Sequence, residues 1–273
     1  MLLWYQKKLW RDFLMLQNIK IGSFYNQSSY MTMFYVGCIF FILLLCWKKH
    51  REVYGIPLWK AVIMSVISIG FGYATTSLMF GIENDMQNFS GYSWYGAVFF
   101  MPLAILVIFW FIKYILKLST SNYIHNLAAP LAMMNGFMKV GCTLYGCCYG
   151  PAGTGHFYIY NAMLNRRMFP IQPIEAAWNF IVCGFILWFE RRPGKIKYVY
   201  PTYMIVYSVG RFFCEFGRQS VRIVGFLSGG MIYALIAIAV GIIWIVIAKN
   251  YEQKEAYKVL HQHPGTAGWR QKA

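Results

Sequence analysis

FLSGGMIYALIAIAVGIIWIVIA, residues 226–248, runs without a single charged side chain. An α-helix needs about 20 predominantly apolar residues to cross a bilayer, so this stretch reads as a transmembrane helix. Working outward from it, six more stretches have comparable length and character: 29–47, 58–80, 94–117, 125–149, 170–189 and 199–217. Those at 29–47 and 94–117 are also strong candidates. Those at 125–149 and 199–217 carry Lys139, Arg211 and Glu215 among many small residues. The pattern predicts an all-α, polytopic membrane protein with about seven transmembrane helices.

Composition agrees. Of 273 residues, 59% are hydrophobic and 12% charged, where a soluble domain carries about 25% charged residues. No stretch outside the apolar runs is long enough to bury a core of its own. The net charge of +16 would suit nucleic acid, but the basic residues sit in short clusters between apolar runs. That placement fits a positive-inside membrane protein and anionic headgroups instead. The seven cysteines are odd in number and lie mostly in apolar surroundings, which argues against a disulfide framework. Residues 1–17 place Leu2, Tyr5, Leu9, Phe13 and Leu16 on one side of a helix, so they read as an interfacial amphipathic helix rather than a cleavable leader. The expected organisation is an N-terminal amphipathic segment (1–28), a transmembrane domain (29–248) and a cytoplasmic tail (249–273).

Topology follows from the loops. Seven spans put Lys48, Lys49, Arg51, Lys113, Lys117, Arg191, Arg192, Lys195, Lys197 and the basic tail on one side. Loop 81–91, GIENDMQNFSG, lies on the other side with Glu83 and Asp85 and no Lys or Arg. The excess predicts a cytoplasmic C-terminus and an outer N-terminus, with the four basic residues of the N-terminal segment lying on the outer membrane surface.

Ionisable groups inside spans cost several kcal/mol unless paired or hydrated, so they are candidate functional groups. In YSVGRFFCEFGR (207–218), Arg211, Glu215 and Arg218 follow one another at four and three residues, on one helix face. They could form a structural ion pair near a helix end, or a polar pocket in which arginine presents planar donors to a phosphate headgroup. In PIQPIEA (170–176), Gln172 and Glu175 fall in a first helical turn, where a carboxylate complements the helix dipole; capping and a site role are both open. Tyr30 fits an interfacial anchor. Tyr95 precedes a small pair, Gly96 and Ala97, that suits helix packing.

The most unusual stretch is GCTLYGCCYG (141–150), with Gly141, Cys142, Gly146, Cys147, Cys148 and Gly150 within ten positions. No CxxC pair is present, and adjacent cysteines are expected to point apart, so spacing argues against a metal or a disulfide. A nucleophilic thiol next to Lys139 stays open, as does a loop in which glycine admits a ligand to the backbone while cysteine fills space.

MKVGCTLYGCCYG, YSVGRFFCEFGR and PIQPIEA together resemble the bacterial prolipoprotein diacylglyceryl transferase family, in its cysteine-rich GCCYG form. Ser29-Tyr30 and Tyr95-Gly96 resemble the family's SYG and YGG pieces, and the pieces occur in the family's order from about residue 21 to 248. Lys139 stands where the family has arginine, Phe169 where it has histidine, and Ala97 where it has a second glycine. The resemblance implies an enzyme of the bacterial cytoplasmic membrane. It would move diacylglyceryl from phosphatidylglycerol to the cysteine thiol in the lipobox of an exported prolipoprotein's signal peptide, releasing glycerol phosphate. It implies Arg211, Glu215 and Lys139 as catalytic residues. Tyr30, Tyr95, Gly141, Cys142, Gly146, Gly150, Gln172, Glu175 and Arg218 would contact substrate. No metal or organic cofactor and no nucleic acid is implied; membrane lipid is. The alternative is a divergent, non-catalytic homologue that binds lipid or peptide. An ordinary transporter would show broken spans and repeat symmetry, neither of which the sequence displays.

Overall fold

Helices begin and end close to where apolar character does. The computed structural model of the chain describes residues 20–21, 27–84, 86–87, 91–103, 120–154, 157–161 and 164–262. A two-residue strand β1 (Lys20–Ile21) precedes α1 (Gln27–Cys46), the short α2 (Lys48–Val53) and α3 (Leu58–Glu83). Then come α4 (Trp94–Leu103), α5 (Thr120–Asn126), α6 (Ala128–Tyr145), strands β2 (Ile159–Asn161) and β3 (Arg166–Met168), and α7 (Ile171–Phe189). A 3₁₀ turn (Ile196–Tyr198) leads into α8 (Val199–Phe216), strands β4 (Arg222–Val224) and β5 (Leu227–Ser228), and α9 (Gly229–Gln262). The amphipathic segment 1–17, most of the 94–117 span with Lys113 and Lys117, Asp85, His156 and the end of the tail lie outside the described residues.

The protein is a polytopic, mostly helical membrane protein. Among the described residues, α3, α7 and Gly229–Lys254 of α9 are each long and apolar enough to cross a bilayer, and Tyr30–Cys46 and Trp94–Leu103 are shorter apolar helices. Large apolar side chains face outward along them, among them Leu43, Val66, Leu103, Ile181 and Ile247, as a lipid-facing surface requires.

Three differences from the sequence pattern have physical causes. The 125–149 stretch divides into α5 and α6, and α6 stops at Tyr145 because Gly146 takes a left-handed conformation (φ 85°) and returns its N–H to the Cys142 carbonyl at 2.8 Å, a glycine C-cap. The chain to α7 then forms a hairpin, with β2 pairing antiparallel to β3 and parallel to β1. Helix α9 does not end with its apolar run but continues to Gln262, since the Glu, Lys and Ala that follow are good helix formers.

Helix α1 packs on α6, α6 on α7, α7 on α8, and α8 on α9. Polar side chains tie the interior. Asn135 Nδ2 donates to Asn179 Oδ1 at 2.9 Å, whose own Nδ2 donates to the Glu175 carbonyl at 2.7 Å, linking α6 to α7. Trp94 Nε1 donates to Tyr203 Oη at 3.1 Å, linking α4 to α8. Fully buried Tyr200 and Tyr203 join Tyr207 in one column, with ring centroids 5.7 and 5.8 Å apart.

The two ends of the bundle differ. At one end lie the α1–α3 connection, the α7–α8 connection and the last part of α9. There the buried His50 ring sits between the Glu190 carboxylate (Nδ1 to Oε1, 2.8 Å) and the Asn126 carbonyl (Nε2 to O, 3.0 Å), while Tyr54 Oη donates to Glu190 Oε2 at 2.9 Å. At the other end lie the α3–α4 turn, the hairpin loop between α6 and α7, and the α8–α9 connection. The candidate site occupies that second end.

Candidate active site

Helix α8 brings the first components. Its spacing places Arg211 and Glu215 on one face, where they form an ion pair, and Arg218 follows just past the helix end. Ser220 Oγ (2.5 Å) and Ser228 Oγ (2.9 Å) both donate to Glu215 Oε1, so the carboxylate is held from the α8–α9 connection as well.

Helix α7 supplies the second carboxylate. Glu175 lies in its first turn and is buried. Its oxygens meet Lys139 Nζ at 2.6 Å, Arg211 Nη1 at 3.2 Å and Arg218 Nη1 at 3.7 Å. The capping role that its position also allows is therefore not its main environment; Glu175 is the hub of a charge network joining α6, α7 and α8. Arg218 reaches Glu215 only at 4.0 Å and has the loosest pairing of the three cations. Lys139, Arg211 and Arg218 are 13, 12 and 18% exposed. Burial at that level raises the Coulombic weight of each contact well above its value in water.

These groups open onto a cavity of about 440 Å³ lined by Lys139, Arg211, Glu215 and Arg218 together with Tyr95, Tyr207, Trp94, Glu83 and Cys148. Three cations face two network carboxylates, with Glu83 a third carboxylate on the wall, hydrogen-bonded by Ser93 Oγ at 2.7 Å. Tyr95 Oη donates to the Gly230 carbonyl at 3.3 Å, and its ring meets Tyr207 edge-on with centroids 6.0 Å apart. The walls combine apolar aromatic faces with a cationic pole, the chemistry of a site for an amphiphile with an anionic head.

The cysteine-rich loop is pinned from several directions beside the cavity. Gln172 Nε2 donates to the Cys147 carbonyl at 2.6 Å, Asn161 Nδ2 to the Gly146 carbonyl at 2.8 Å, and Gly150 N to the Phe169 carbonyl at 3.1 Å. Gly150 is packed so closely that a Cβ there would lie 2.4 Å from the Gly217 carbonyl. Gln172 and Gly150 thus act by holding the loop. Gly141 faces α1, where a Cβ would lie 3.1 Å from Met33 and 3.2 Å from the Tyr30 ring. Tyr30 has Cys142, Cys147, Cys148 and the cavity residue Tyr92 as electrostatic neighbours.

One sequence expectation is corrected. The sulfurs of Cys142, Cys147 and Cys148 all lie within 4.8 Å of one another, although Cys147 and Cys148 are adjacent. Cys148 adopts φ 57°, a left-handed conformation, so the extended-strand alternation that sends adjacent side chains apart does not apply here.

Sequence reading missed Glu83, Ser220 and Ser228 as site residues. Glu83 carried a signal, an acid at the very end of an apolar span, but read only as loop charge. The two serines carried none. Phe169, in the family's histidine position, packs its ring edge-on against Tyr158 at 6.0 Å.

A polytopic helical bundle with a chamber of converging buried charges at one end suits an intramembrane enzyme. The sequence profile of the prolipoprotein diacylglyceryl transferase family matches residues 19–247, and the chain belongs to that family. Phosphatidylglycerol–prolipoprotein diacylglyceryl transferase 2 of Clostridium perfringens is 28% identical over 256 residues, covering 87% of this chain and 98% of that protein. The corresponding transferase of Clostridium tetani is 35% identical over 124 residues, covering 43% of this chain and 50% of that protein.

Proposed function

We infer that the protein transfers the diacylglyceryl group of phosphatidylglycerol to the lipobox cysteine of exported prolipoproteins. The observation that carries this reading is the convergence of Lys139, Arg211 and Arg218 on one cavity with only Glu175 and Glu215 to balance them in the network. An anionic headgroup meets Arg218, the cation with the loosest pairing. The acceptor thiol attacks the glyceryl carbon; a C–S bond forms, the C–O bond to phosphate breaks, and glycerol phosphate leaves with that electron pair.

Arg218 has the longest ion-pair distances and meets the phosphate first in this scheme. Arg211 and Lys139, preset by Glu175, stabilise the charge that develops on the leaving oxygen. Glu215 orients Arg211 and can take the thiol proton. Tyr95, Tyr207 and Trp94 line the path of the acyl chains. Tyr30, Gly141, Cys142 and Gly146 contribute to substrate contact through the loop. The cavity end faces the outer side of the cytoplasmic membrane, where exported precursors arrive, and the basic loops and C-terminus face the cytoplasm. The residues divide as an outer segment (1–28), a transmembrane domain (29–248) and a C-terminal tail (249–273) whose first part extends α9.

The test is a transfer assay. Purified protein in detergent is mixed with labelled phosphatidylglycerol and a lipobox peptide. Arg211→Ala is expected to lower thioether product by about 10²–10³-fold, as for other lost charge-stabilising donors. A folded wild-type protein that binds the lipid and yields no thioether would instead support the non-catalytic homologue.

A further inference from the structure

The three thiols of the loop have a geometry that the charge network does not use. Cys142 ends a buried helical turn, Cys147 and Cys148 follow the helix cap, and their sulfurs lie within 4.8 Å of one another. Tetrahedral zinc holds thiolates at about 2.3 Å, which sets sulfurs about 3.8 Å apart, so modest side-chain rotation would close them on one ion. The convergence has a local cost. A non-glycine residue at φ 57° is destabilised by about 1–2 kcal/mol, and it persists because Gln172, Asn161 and Phe169 hold the loop on either side. Simple space-filling by small apolar side chains would not need that conformation.

Charge fits as well. Three thiolates around a divalent ion leave one net negative charge, and Lys139 and Arg218 are electrostatic neighbours of Cys148. Cys148 also belongs to the cavity wall, so an ion held by the three sulfurs lies against the chamber and can take its fourth ligand from there. Soft thiolate donors favour thiophilic ions such as zinc over magnesium or calcium.

We propose that Cys142, Cys147 and Cys148 form a three-thiolate site for a thiophilic metal ion of the zinc class, with its fourth position offered to the acceptor thiol. The second part, unlike the first, rests on the transferase reading above. A thiol that coordinates such an ion is deprotonated: its proton passes to the Glu215 carboxylate on the same cavity, and the sulfur keeps the electron pair that forms the C–S bond. The C–O bond to phosphate breaks with its pair on the leaving oxygen, so the step needs no oxidant or reductant.

The test separates binding from role. Reduced, chelator-stripped protein is titrated with Co²⁺ or Cd²⁺ while thiolate-to-metal absorption and bound metal per chain are measured. The expected result is one ion per chain, with affinity falling at least about tenfold in Cys147→Ser and Cys148→Ser and unchanged in Cys38→Ser. Wild type binding no more metal than a Cys142→Ser/Cys147→Ser/Cys148→Ser variant would overturn the site; both proteins are first shown folded by their thermal transitions. For the role, a lipobox peptide is added to the Co²⁺ form. A spectral shift with the cysteine peptide and none with its serine counterpart supports acceptor coordination, and equal spectra overturn it. Metal binding without transfer would count against the transferase reading and the acceptor role that rests on it, and would leave the metal site standing. Transfer without metal binding would count against this site alone.

Discussion

Glu175 meets all three network cations, so its charge matters beyond any one pair. Glu175→Gln leaves Lys139, Arg211 and Arg218 with Glu215 alone. Breaking a buried pair typically costs about 3–5 kcal/mol, so the variant should unfold at markedly lower temperature in detergent, and a transition within a degree of wild type would contradict the hub role. Lys139 invites the opposite experiment. Arg at 139 keeps the charge and adds a second donor direction toward phosphate, so Lys139→Arg should retain transfer within a few-fold, while Lys139→Met should lose about 10²-fold. Arg211 and Glu215 were legible in the sequence because helical spacing alone puts them on one face; Arg218, expected on the same face, instead reaches the site from just past the helix end at Phe216. Glu175 was legible as a residue but not as a hub, since its partners arrive from α6 and α8. The meeting of three sulfurs was not legible at all: it depends on a left-handed backbone at a cysteine, which no spacing rule announces.

At the scale of elements, the helices were readable wherever apolar length was the controlling factor, as in α3 and α7. The strands were not. Segments of two or three residues carry no measurable alternation, and β1, β2 and β3 form where the segment before α1 meets the loop between α6 and α7. The α3–α4 contact offers a sharp test of packing. A Cβ on Gly96 would lie 2.0 Å from the Thr75 carbonyl oxygen, so the α4 backbone must approach α3 closely. Overpacking of this kind costs about 1–3 kcal/mol. Gly96→Val should therefore lower the thermal transition and reduce transfer, because α4 carries Trp94 and Tyr95 into the chamber. Unchanged stability would show that the two helices separate more easily than their contact implies.

For the whole molecule, the two ends can be told apart by labelling. Gln87 is exposed on the α3–α4 turn at the chamber end, and Lys195 is exposed on the α7–α8 connection at the opposite end. A membrane-impermeant maleimide should label Gln87→Cys in intact cells and Lys195→Cys only after the membrane is opened. The reverse pattern would invert the orientation proposed above.

The aromatic column beneath the chamber has a bearing on the host's energy economy. Tyr207 lines the chamber, Tyr203 and Tyr200 precede it along α8, and the Trp244 ring lies tilted beyond with a centroid 5.8 Å from Tyr200. A bacterium maintains a steep proton gradient across this membrane, and any continuous wet path through a polar chamber would discharge it. Fully buried rings packed below the chamber oppose such a path. Liposomes containing the protein should consequently hold a proton gradient as long as empty ones do.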